Sequence, residues 1–137
     1  MRNDRGIHIT RLLLVTIVLL SSGPAYAEWV EIGTTDEGMT LYVDPETVRR
    51  KGNLVKLWQL LDFKIVQTVD GDSYLSTKRQ SEYDCAEKRR RTLAFTWFSD
   101  NMGRGKPVYT SSEAGKWRPV APESVGQFEW KIACNRK

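Results

Sequence analysis

Lys88-Arg89-Arg90-Arg91 is the densest run of charge in the chain, and Lys78 and Arg79 lie a short distance upstream. These residue types grip carboxylates, sulfates and phosphates, because guanidinium presents a planar fork of donors and ammonium a compact point charge. Trp117, between Lys116 and Arg118, adds an aromatic anchor of the kind that recognition surfaces use. Lys78, Arg79, Arg89, Arg90, Arg91 and Trp117 are therefore the candidate ligand-binding residues. A strand through the run would split it, since Arg89 and Arg91 then point opposite to Arg90. Glu82, Asp84 and Glu87 are close enough in sequence to neutralise it. The stretch reads either as a ligand patch or as a salt-bridged face.

Other chemistries find less support. His8 is the sole histidine and falls in the N-terminal leader, which leaves no imidazole for acid–base work, a Ser-His-Asp arrangement or a histidine metal site. Two cysteines cannot form a four-cysteine metal site, and no Cys-x-x-Cys or histidine partner activates either as a nucleophile. Asp84 and Glu87 flank Cys85, while Asp70 and Asp72 bracket a glycine turn; neither pair carries the surroundings of a catalytic cleft. Asp70-Gly71-Asp72 also lacks the loop that would bring six to eight oxygens to calcium. Gly103-Arg104-Gly105 has no phosphate-cradle spacing and reads as a flexible loop. No catalytic residue, metal or cofactor is expected, and the chain reads as a non-enzyme.

The N-terminus reads as a processing signal over residues 1–27. Arg2, Arg5 and Arg11 give a positive end, an apolar run follows from Leu12 to Leu20, and Ala25-Tyr26-Ala27 offers a small-x-small cleavage site before Glu28. The run is too short to span a bilayer, which takes roughly 20 residues. No transmembrane segment is expected after cleavage. With three arginines and Asp4 gone, the remaining 18 basic and 16 acidic residues leave a net charge of +2, weak grounds for a nucleic-acid partner. Residues 28–137 are expected to form one domain with one modest core. In an oxidising compartment Cys85 and Cys134 read as one structural disulfide, to which chain entropy assigns about 4 kcal/mol.

The elements that must position these groups are mostly strands. From Arg89 to Phe98 the side chains alternate, with Leu93, Phe95 and Trp97 on one parity and Thr92, Ala94 and Thr96 on the other, the mark of a half-buried strand. Residues 28–32 and 39–43 read as a first strand pair. Asp44-Pro45 reads as the start of a helical turn, with a short element over 47–51 stopped by Gly52-Asn53. Residues 54–63 carry large apolar side chains on both parities, as a strand covered on both faces requires. Asp70-Gly71 signals a hairpin into a strand over 73–83. Residues 107–110 form a last, edge strand where Pro107 is tolerated. A helix over 123–133 presents Val125, Phe128 and Ile132 as an apolar stripe. Of the five tryptophans most are expected in the core. The fold class is α+β: a six-stranded, mainly antiparallel sheet with one C-terminal helix packed on a face and tied by a Cys85–Cys134 disulfide.

These motifs resemble the surface-adhesin protein E-like family of exported bacterial proteins. The resemblance rests on Tyr42-Val43-Asp44 with Thr47-Val48-Arg49, Gly52-Asn53-Leu54-Val55 with Trp58 and Asp62, and Glu82-Tyr83-Asp84-Cys85. It continues through Phe98-Ser99-Asp100 with Met102-Gly103, Trp117, Pro119-Val120, Trp130 and Cys134, so it spans almost all of residues 29–134. Val66-Gln67 stands where the family pattern would place Pro-Gln. The resemblance implies an antiparallel sheet with a disulfide-tethered C-terminal helix. It also implies an exported, non-enzymatic binding module of the bacterial envelope, periplasmic or at the cell surface, with adhesion to host matrix or serum proteins as the family's best-known role. The motif matches mark a scaffold and assign no host-binding residue. Protein or acidic-glycan partners suit the basic strand. The rival reading is a periplasmic structural, envelope-maintenance or small inhibitor protein.

Overall fold

The structure, a computed structural model, describes residues 28–135. The expected leader over residues 1–27 lies outside the described residues. Six strands run as an antiparallel meander: β1 (Val30–Thr34), β2 (Met39–Lys51), β3 (Leu54–Val69), β4 (Asp72–Asp84), β5 (Arg89–Phe98) and β6 (Pro107–Ser111). A two-residue strand, β7 (Arg118–Pro119), pairs with β5 beside β6, and α1 (Val125–Asn135) returns across one face. The α+β architecture follows the alternation read from the sequence, and every connection between neighbouring long strands is local.

Turn chemistry sets the registers. Val69 pairs with Asp72 across Asp70-Gly71, whose φ values of 49° and 86° are both left-handed, as a tight hairpin requires. Asp84 pairs with Arg89 across the next turn, and its Oδ1 accepts from the backbone N–H groups of Ala86 and Glu87 at 3.1 Å each. That side chain satisfies donors which the turn takes out of the ladder.

The helical turn expected at Asp44-Pro45 is instead a break in register within β2. Pairing with β3 lapses between Asp44 and Arg49. Asp44 still accepts a backbone N–H, that of Glu46 at 3.1 Å, but the bond closes a local turn rather than capping a helix. Thr47 then turns its hydroxyl inward, where Oγ1 accepts from the Trp58 N–H at 2.9 Å and donates to the Asp44 carbonyl at 2.7 Å. The bulge replaces a missing ladder bond with a side chain, so the strand resumes at Arg49.

One core lies between the sheet and α1. Val43, Val55, Leu57, Tyr83 and Ala133 are buried together, bordered by Ile32, Val48, Trp130 and the two cysteines. Cys85 and Cys134 are bonded, with their Cα atoms 5.6 Å apart, and join the C-terminal end of α1 to the β4–β5 turn. Trp130 reinforces the joint by donating Nε1–H to the Asp84 carbonyl at 3.0 Å.

The helix differs from its expected stripe. It buries Glu129 and Ala133, whereas Val125 and Phe128 remain 42% and 46% exposed. The disulfide and Trp130 fix its rotation, and a polar cluster beneath it needs Glu129. The helix also begins at Val125 rather than Glu123, because Glu123 has φ of 57° and Ser124 caps the first turn by accepting from the Gln127 N–H at 3.1 Å. None of the five tryptophans belongs to the fully buried core; each is half-buried. A small apolar core of shorter side chains leaves them at its borders.

The second face of β3 is covered by residues 99–106, which the sequence marks as a flexible loop. Ser76 Oγ donates to the Asp100 carbonyl at 2.6 Å and accepts from the Gly103 N–H at 2.8 Å. Asp62 Oδ1 accepts from Asn101 Nδ2 and the Met102 N–H. The glycines serve this anchoring: Gly105 has φ of 81°, and a Cβ there would stand 2.7 Å from the Asp100 carboxylate. Leu60 is thereby fully buried.

Candidate functional site

β5 carries the basic run along the half of its outer edge that β6 does not cover. β6 pairs with Phe95 to Phe98, and the chain then returns along the other half of the same edge. Gly115 donates its N–H to the Thr92 carbonyl at 2.8 Å, Arg118 and Pro119 pair with Arg90 and Arg89, and Val120 donates to the Lys88 carbonyl at 3.0 Å. The returning segment closes most of an edge that would otherwise expose unpaired backbone groups. It also places Trp117, Lys116 and Arg118 beside the arginines.

The candidate residues separate by face. On the face opposite α1, Trp117 stacks against two guanidinium groups, with Arg89 and Arg91 each 4.6 Å from its ring centroid. Each arginine is also paired across the β4–β5 ladder. Arg89 Nε donates to Asp84 Oδ2 at 3.0 Å, and Arg91 Nη2 lies 2.7 Å from Glu82 Oε1. The result is an ordered layer of carboxylates, guanidiniums and indole. Hydrogen bonds from the Glu87 N–H, the Arg89 side chain and the Ala86 N–H hold the Asp84 carboxyl below its ordinary value. Lys78 lies apart, with Nζ 5.4 Å from the Phe98 ring.

On the helix face, Arg79 reaches inward. Its Nη2 lies 2.6 Å from Glu129 Oε2 and its Nε donates to Gln59 Oε1 at 2.9 Å. Gln59 is buried and completes four bonds: Oε1 also accepts from Ser81 Oγ, and Nε2 donates to Tyr83 Oη and Glu129 Oε2. Burial, followed by the nearby Glu129 charge, pushes the Tyr83 hydroxyl up to about 12. Arg79 is therefore a structural cation under the helix.

Arg90 takes the same face but no ion-pair partner among the described residues, and its guanidinium lies beside Gly126 at the start of α1. It opens onto a cleft of about 250 Å³ whose lining includes Arg79, Arg90, Arg91, Lys116 and Arg118 with Thr92 and Gly115. Arg79 and Arg91 are occupied by internal carboxylates. Arg90, Lys116 and Arg118 are without an internal acidic partner among the described residues, and they can hold an oxyanion.

The six candidates thus do not form one patch. Arg89, Arg91 and Trp117 are brought together, Arg90 faces away from them, Arg79 is committed to the core, and Lys78 stands alone. Lys116 and Arg118 entered the reading only as neighbours of Trp117. Their period-two spacing around it was the available signal, because a strand there sends Trp117 to one face and both cations to the other. Among the described residues, no group of three or more metal-ligating side chains converges.

The family model described as surface-adhesin protein E matches residues 29–135. The chain belongs to the surface-adhesin protein E family. Solved structures of protein E from Haemophilus influenzae share its fold. One crystal form superposes with a TM-score of 0.61 at 11% identity, covering 81% of this chain and 90% of that one. The selenomethionine form gives 0.58 at 10% identity, covering 81% and 88%. Protein E from non-typeable Haemophilus influenzae gives 0.55 at 10%, covering 81% and 78%. No curated protein matches the sequence. The protein E likeness supports the meander and its C-terminal helix. The family is one of surface adhesins rather than enzymes.

Proposed function

We propose that this member of the surface-adhesin protein E family is an exported, non-enzymatic binding module of the bacterial envelope. It takes acidic groups of a protein or glycan partner beside the half of the β5 edge that the returning 115–120 segment covers. The observation that carries this reading is the cleft in which Arg90, Lys116 and Arg118 converge without internal carboxylates. Clustered cations that lack internal partners attract and orient an acidic ligand. Residues 1–27 serve as the export signal in this reading, and adhesion to host matrix or serum proteins is its finer form.

The pairing of Arg79, Arg89 and Arg91 with Glu129, Asp84 and Glu82 favours a second reading, a periplasmic structural or inhibitory protein. Labelling of the protein on intact cells separates the two, since only a surface module is reached. Binding is tested with the disulfide-intact protein on an array of matrix proteins, serum proteins and sulfated glycans at about 0.15 M salt. A saturable signal lost in R90E/K116E/R118E, with the fold retained, supports the cleft as the site. Absence of any saturable signal overturns the binding-module reading.

A further inference from the structure

The helix covers only one end of its face of the sheet. Beyond Arg79, which pairs across the ladder with Phe95, five rings form a continuous array across β3 to β6. Tyr74 stacks on Trp97 with centroids 4.4 Å apart and planes 12° apart, and Phe63 meets Tyr74 edge-on at 5.9 Å. Tyr109 lies 5.1 Å from Trp97 and 5.8 Å from Phe95, tilted 39° and 35° to them. Tyr109 is 47% exposed.

The β3–β4 hairpin end stands over this floor. Between them lies a cleft of about 320 Å³ lined by Val69, Asp70, Asp72, Phe95, Trp97 and Tyr109. Its two carboxylates have no ion-pair or hydrogen-bond partner among the described residues, and no basic residue lines the cleft. Aromatic rings carry a negative π face that attracts cations, and the Asp70 and Asp72 carboxylates add full negative charge to the same lining. An acidic ligand would be repelled. A flexible hydrocarbon stem that ends in a positive charge fits both the apolar wall and the carboxylates.

We propose that this cleft is a second binding site, which takes a lysine or arginine side chain presented by a partner protein. The site lies outside the basic β5 edge and takes the opposite charge. A single partner could therefore be held by an acidic segment at one site and a basic segment at the other.

The test uses the full chain, expressed for export and purified with the disulfide intact. Fluorescein-labelled Gly-Lys and Gly-Arg repeat peptides, with Gly-Gln and Gly-Glu counterparts, are followed by anisotropy, and an array of neutral oligosaccharides is run alongside. The cationic peptides are expected to bind saturably and to shift the Trp97 indole N–H resonance, while the Gln and Glu peptides do not. Tyr109→Ala and the double variant D70N/D72N should each weaken binding about tenfold. Tyr109→Phe keeps the ring and should retain binding, which separates loss of the site from loss of the fold. R90E/K116E/R118E should leave it intact, so failure here is distinct from failure of the acidic-ligand reading. The proposal is overturned by absent cationic-peptide binding, by binding that survives both the Tyr109→Ala and carboxylate variants, or by a cleft that takes neutral oligosaccharide instead.

Discussion

Arg79 on β4 meets Glu129 on α1 with 2.6 Å between Nη2 and Oε2, and their side chains are only 15% and 3% exposed. Gln59 bonds both members of the pair, accepting from Arg79 Nε and donating to Glu129 Oε2, and its amide also donates to the Tyr83 hydroxyl. An ion pair taken out of water must be satisfied on all sides, or its desolvation exceeds its attraction. Here the surrounding amide and the second arginine bond provide that satisfaction. The arrangement fixes which side of α1 faces the sheet.

Replacing Glu129 by Ala leaves a largely buried guanidinium without its counter-charge. The expected loss is about 3 kcal/mol in urea unfolding. An R79M/E129L protein should recover most of that loss, since apolar groups need no partner. A Glu129→Ala midpoint equal to wild type would show that the pair does not hold the helix.

Cys85→Ser with Cys134→Ser removes a link across 49 residues between the β4–β5 turn and the end of α1. Stability should fall by about 4 kcal/mol. Because the strands keep their hairpins, amide exchange should rise first over 125–135 and only later in β3 and β4. Uniform acceleration across all elements would argue that the bridge supports the sheet itself.

Two groups give the stability opposite pH limits. Asp84, whose carboxyl is held below the ordinary 3.8 first by the Glu87 N–H, binds a proton less readily folded than unfolded. Its contribution is present above about pH 4 and is lost as the pH falls through the folded value. Tyr83 is raised from 10 to about 12, chiefly by burial, so its contribution is full below pH 10 and is lost as the pH rises towards 12. Asp84→Asn should flatten the acid limb of a stability–pH curve, and Tyr83→Phe the alkaline limb.

Trp117→Ala removes the ring shared by Arg89 and Arg91. Loss of this layer should cost about 1 kcal/mol and expose the 112–120 segment to limited proteolysis. Trp117→Phe should fall between the two. Equal cleavage in wild type and Trp117→Ala would mean that the backbone bonds of Gly115 and Val120 alone retain the segment.

Local signals made the sheet legible. Alternation from Arg89 to Phe98, the Asp70-Gly71 turn and the apolar residues 54–63 each specify a strand or hairpin through chemistry within a few residues. The same alternation announced that Arg90 would part from Arg89 and Arg91. Asp44-Pro45 was harder, because an aspartate that accepts a nearby N–H begins a helix or closes a turn inside a strand by the same bond. The Thr47 hydroxyl reaching Trp58 decided between them, and that contact spans the hairpin.

Residue type and spacing by themselves determined a disulfide-tied antiparallel sheet with one late helix, since each depends on periodicity, turn residues or the presence of just two cysteines. Tertiary structure alone decided which cations are committed and which are open to a ligand. Arg79 finds Glu129 fifty positions away, Trp117 finds Arg89 and Arg91 through a two-residue strand, and five rings from four strands gather beyond the helix. A charge or a ring carries no mark in the sequence of the neighbour it will meet, because that neighbour is fixed only when the strands have registered and α1 has docked.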